Sequence, residues 1–167
     1  MHVIYENPGI LDLRALTVMG VNAKTSNSPI GYFGTGFKYA VAVLTRMGCQ
    51  MFVQPGDGTQ WFVEKAPDTF RNKEFEFLTL LQDEGIQRVQ LPFTTELGKN
   101  WEMWQAMREL ECNMRDEGGH FHKSSTIPAP EPNVVRVIVT SPTYFAQLDS
   151  MRRTTFFDAN PGAVRAT

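Results

Sequence analysis

The chain has 167 residues, enough for one domain with a sizeable core, and its 42% apolar and 20% charged content is an ordinary globular mix. A net charge of −2 with no long run of either sign supplies no basic patch, so nothing in the composition points to a nucleic-acid partner. No apolar stretch approaches the roughly 18 residues of a membrane span, and the N-terminus lacks a signal-peptide pattern, so no membrane partner is expected.

Two cysteines, Cys49 and Cys112, are too few for a disulfide framework. Both read as buried thiols in a reducing, cytoplasmic compartment.

Taken in chain order, residues 2–5 are a short strand candidate, and Asn7-Pro8-Gly9 forces a turn. Asp12 opens a short helix to about Val18. Residues 22–30 are polar and loop-like. Gly31, Gly34 and Gly36 then lead into a helix from Phe37 to Arg46, closed by Gly48. Residues 50–54 and 60–65 flank Pro55-Gly-Asp-Gly58, a hairpin signal. Residues 75–81 and 87–92 add two more strands.

A long helix is expected from Glu96 to Asp116, with Trp101, Trp104, Met107, Leu110 and Met114 on its apolar side. Gly118-Gly119 stops it. Residues 120–132 read as a mobile polar loop because of their spaced prolines, and His120-x-His122 lacks a third metal ligand. Val134 to Thr140 is the clearest strand, and Ser141-Pro142 starts a last helix to about Met151. Residues 1–157 form the expected single domain, with 158–167 as a tail or linker.

Two segments carry chemistry. Glu109, Asn113 and Asp116 fall at i, i+4 and i+7, on one face of a helix. A carboxylate can take a proton from water, and a carboxamide oxygen can hold magnesium. The glycines at 31, 34 and 36 let backbone N–H groups approach an anion at a helix N-terminus, and Lys38 adds a positive charge. A glycine cluster taken alone is more often a loop that lets a helix pack closely. This one is neither a Walker A loop nor a Rossmann fingerprint.

Ser28-Pro-Ile-Gly-Tyr-Phe-Gly-Thr-Gly-Phe-Lys-Tyr-Ala40 resembles the second glycine motif of the GHKL ATPases, the family of gyrase B, MutL, the large heat-shock chaperones, Morc proteins and histidine kinases. Arg108-Glu-Leu-Glu-Cys-Asn-Met-Arg-Asp116 is similar to that family's N-box. The resemblance implies ATP and Mg2+ as cofactors, with Glu109 as general base and Asn113 as magnesium ligand. Asp116 would stand near the nucleotide. Gly31, Phe33, Gly34, Thr35, Gly36 and Lys38 would close over the phosphates.

Asn7-Pro8-Gly9 is similar to the family's first glycine motif, so Asn7 and Gly9 would lie near the base. Asn7 replaces the usual Asp, and Leu11 stands where a second glycine is usual, which leaves the base open. The N-box follows the glycine motifs instead of preceding them, as a circular permutation would give.

The expected fold is α+β, a two-layer, Bergerat-like sandwich: a mixed, mostly antiparallel sheet with helices on one face, in circularly permuted order. The function implied is magnesium-dependent ATP binding with slow hydrolysis. The alternative is a non-catalytic nucleotide-sensing or protein-interaction module. A homodimer or a protein partner is the expected class of assembly.

Overall fold

The structure, a computed structural model, describes residues 1–18, 35–82 and 87–154. Its elements in chain order are β1 (His2–Pro8), α1 (Arg14–Thr17), α2 (Thr35–Arg46), β2 (Gln50–Gln54), β3 (Trp61–Phe70), β4 (Lys73–Gln82), β5 (Arg88–Thr94), α3 (Met103–Asp116), β6 (His120–Ser124), β7 (Val134–Thr140) and α4 (Pro142–Thr154). The strands form one sheet in the order β5-β4-β3-β2-β7-β1-β6. Every pairing is antiparallel, which corrects the expected mixed sheet.

Alternation along the strands decides which face holds the helices. Val3, Val139 and Met51 are cross-strand neighbours, as are Tyr5, Val137, Val53 and Trp61. All are buried in one cluster with Val41 and Leu44 of α2 and with Met107, Leu110 and Met114 of α3. Tyr144 and Leu148 of α4 join the same cluster. Among the described residues the helices therefore cover a single face of the sheet. Each fully buried Leu, Met or Phe contributes about 1.5–3 kcal/mol there.

On the other face Arg136 anchors the loop of residues 125–133. Its Nε donates to Glu6 at 2.7 Å, one terminal nitrogen donates to Gln54 and the Ala129 carbonyl at 3.0 Å each, and the other donates to Glu131 at 2.7 Å. A buried guanidinium needs this full set of acceptors.

Several elements depart from their expected bounds. The 120–132 stretch is not all loop, since His120–Ser124 is an edge strand on β1. The prolines that suggested a loop begin only at Pro128. Helix α3 starts at Met103, not Glu96, because Gly98 takes a φ of +66° and Glu102 forms a capping box with Gln105. Trp101 precedes the helix half-buried, and Trp104 is 37% exposed instead of in the core. Cys49 is buried as expected, whereas Cys112 is exposed on the outer side of α3. The β3–β4 hairpin is longer than its hydrophobic pattern suggested, because its outer half is not buried on either face.

Candidate functional site

Helices α2 and α3 lie side by side, and Gly36 and Glu109 mark where they meet. A Cβ built on Gly36 would overlap the Glu109 carboxylate, with Oε1 at 2.6 Å. The two distant chemical segments are thus joined at this point. Gly36 lies in the first turn of α2, which has no acidic residue of its own. Glu109 supplies the negative charge that a helix N-terminus favours.

Burial pushes the Glu109 carboxyl above its ordinary range. The neighbouring Asn113 amide and Arg108 charge pull it down, and Asp116 adds to the rise. One turn further on, Asn113 is only 5% exposed, and among the described residues its Nδ2 has no hydrogen-bond partner. An unsatisfied buried amide costs about 1–3 kcal/mol, a cost that a ligand can offset. Asp116 completes the row but is exposed in the last turn of the helix.

The outer side of Glu109 opens into a cleft of about 250 Å3, lined by Trp101, Gln105, Arg108, Glu109 and Cys112. The Trp101 ring rests against Tyr39 of α2, with centroids 5.1 Å apart, and forms one rim. Glu109 therefore stands between a buried amide and an open polar cleft.

Asn7 ends the buried row Val3, Tyr5, Asn7 on β1 and faces the helix layer. Its Nδ2 donates to its neighbour's carbonyl, Pro8 O, at 3.0 Å. Gly119, just past α3, closes over it: an added Cβ would lie 2.8 Å from Asn7 Cα and would overlap the Glu6 carbonyl. The sequence showed Gly118-Gly119 only as a helix stop, and nothing in it signalled that close approach. Gly9 follows in a turn with φ +120°, and its N–H donates to Asn133 O at 2.9 Å. Gly9 is needed for its backbone angle, since no atom lies within 4 Å of a Cβ built there.

Lys38 projects from the other side of α2, two residues past Gly36. It is 3% exposed and forms no ion pair among the described residues. Burial alone holds its ammonium below the usual lysine range. The expected phosphate ligands Gly31, Phe33 and Gly34 lie outside the described residues, and the Thr35 backbone begins α2.

Asn113 has the chemistry to give magnesium one carboxamide oxygen. Among the described residues no group of three or more His, Cys, Asp or Glu side chains is placed to hold a metal by itself. His120 and His122 stack on each other on the β6 edge, 5.7 Å between centroids, instead of converging on an ion.

The chain matches no protein-family model, and comparisons with curated proteins and with solved structures return no match. Among the described residues no helix is long and apolar enough to cross a membrane.

Proposed function

We propose that this domain is a circularly permuted, GHKL-like nucleotide-binding module that holds ATP with magnesium between α2 and α3 and hydrolyses it slowly. The observation that carries the reading is the contact of the Glu109 carboxylate with Gly36 at the start of α2. That turn favours an anion. Its neighbour Glu109 is a carboxylate whose pKa burial raises, as suits a general base. Glu109 would accept the proton of the attacking water. Asn113 would hold magnesium, which neutralises charge on the transferred phosphate. The α2 N–H groups would bind the phosphate oxygens.

The topology supports the permuted order. Consecutive elements usually lie side by side, so an unpermuted chain running from the N-box helix through its strand to the first glycine motif would pair those strands. Here β6 follows α3 and pairs with β1, which carries Asn7. The pairing sets His2 opposite Ser124, so a short turn would join the end of β6 to the start of β1.

The alternative reading, a sensing module without hydrolysis, is favoured by Asn7. Its amide nitrogen is already bonded to Pro8 O, and the glycine expected at Leu11 is absent.

Turnover and binding separate the two readings. Glu109→Ala abolishes magnesium-dependent ATP hydrolysis and leaves nucleotide binding intact. Unchanged hydrolysis in this variant removes Glu109 as the base, and saturable binding without any wild-type hydrolysis selects the sensing module.

A further inference from the structure

The sheet face away from the helices carries a second feature, independent of the nucleotide reading. Strand β3 pairs with β2 only at Trp61 and Phe62, and β4 meets β5 only from Phe77 onward. Residues 67–70 and 73–76 therefore form a two-stranded arm with no third strand among the described residues. Such a ribbon is marginal alone in water.

The arm is also amphipathic in an unusual sense. Phe75 faces Asp68 and Phe77 faces Ala66 in the pairing register, on the same side as Phe70 opposite Lys73. That side is opposite to core-facing Val63 and Leu80. Phe75 and Phe77 are 6.2 Å apart, and Phe70 is 57% exposed. The stripe runs on into Phe62 and Phe52, whose centroids are 5.1 Å apart. Phe70 is exposed and Phe75, Phe77, Phe62 and Phe52 are each partly exposed along this stripe, and a contiguous aromatic patch of this kind marks an interaction site.

We propose that this aromatic arm docks face to face with the same arm of a second copy of the chain. The choice of partner rests on charge. Arg71 lies over the Phe70 ring and Lys73 over the Phe75 ring, at 5.4 and 5.2 Å. Among the described residues Asp68 accepts only from the N–H of Thr69. None of these three has an ion-pair partner among the described residues.

Positive and negative groups thus stand two residues apart across one patch. A two-fold axis through the patch sets Asp68 of each copy beside Lys73 of the other, as an isologous interface requires. A polyanion such as single-stranded nucleic acid would meet Asp68 and Glu64 on the same face. Pairing along the free edge of β3 is disfavoured because Pro67 removes a backbone donor there.

Sedimentation velocity without nucleotide tests the proposal. Wild-type protein sediments as a concentration-dependent dimer. Asp68→Lys and Lys73→Asp each weaken dimerisation at least about tenfold, roughly 1.4 kcal/mol. An equimolar mixture of the two variants dimerises again, and so does the double variant carrying both. Phe75→Ser is monomeric with an unchanged circular dichroism spectrum. A wild-type monomer at all concentrations overturns the proposal. So does a dimer that ignores both charge reversals, or an arm that binds a single-stranded oligonucleotide while the protein stays monomeric.

Discussion

The Glu109 carboxylate of α3 occupies the space that a side chain on Gly36 of α2 would fill. One helix thus leaves out a Cβ so that the other can place an acid on its N-terminal turn. The carboxylate is the far end of a flexible side chain, so it can swing away from an added methyl. Gly36→Ala is therefore expected to change stability by no more than about 1 kcal/mol, with helix propensity favouring the alanine. Hydrolysis should fall about 100-fold, the scale for displacing a reacting group by an ångström. In a Glu109→Ala background the same change should have no further effect on turnover. Melting curves and turnover assays on the four proteins of this cycle check it.

Asn113 is buried, and among the described residues its amide nitrogen has no hydrogen-bond partner. Replacing it by leucine removes that unsatisfied group from the edge of the core. Asn113→Leu should be at least as stable as wild type in urea and gain up to about 1 kcal/mol. It should also lose magnesium-dependent nucleotide binding. A variant that is markedly destabilised would mean that Asn113 is held for structure instead.

Lys38 gives a pH signature. Its folded pKa lies below the unfolded value of 10.5. Between those two values the unfolded chain binds more protons than the folded one, so wild-type stability rises with pH across that window. At neutral pH the ammonium is charged in both states and its burial is a constant cost. Lys38→Met should raise the melting temperature at pH 7, and the difference should shrink as pH climbs toward 10.5. A difference that is flat over this range contradicts the burial of an ammonium that has no ion pair among the described residues.

Gly119 differs from Gly36 in what it touches. A methyl there meets the backbone of Glu6 and Asn7, which are held in the sheet between β7 and β6. Backbone cannot swing aside. Gly119→Ala should cost about 1–3 kcal/mol, the usual range for overpacking, and should disturb the amide resonances of Asn7 before those of β2. Denaturant titration and heteronuclear NMR spectra read both effects.

What the sequence revealed follows from range. The pattern Val134 to Thr140 gave β7 to the residue, because a strand buried on both faces reads as a nearly continuous apolar run, interrupted here by Arg136 alone before Thr140. The i, i+4 spacing of Glu109 and Asn113 set both at the edge of the buried stripe of α3. Local rules failed where a tertiary neighbour decides. His120 to Ser124 carries a single apolar side chain, Phe121, too little for a strand pattern, and it becomes a strand because β1 offers its backbone. The outer β3–β4 arm has no buried face to betray it. Cys112 looked like a core thiol because free cysteine usually is, yet it lies on the side of α3 that lines the cleft. The meeting of Gly36 with Glu109 is separated by more than seventy residues of chain and shows only in three dimensions.

Isothermal titration calorimetry of the wild-type chain with ATP, with and without magnesium, bears most directly on the proposed site. The account predicts saturable heat that depends on magnesium, absent in Asn113→Leu and retained in Glu109→Ala. At ligand concentrations of about 100 times Kd it also predicts roughly 2.7 kcal/mol of added stability. No heat with any nucleotide, together with an unmoved melting temperature, would contradict it.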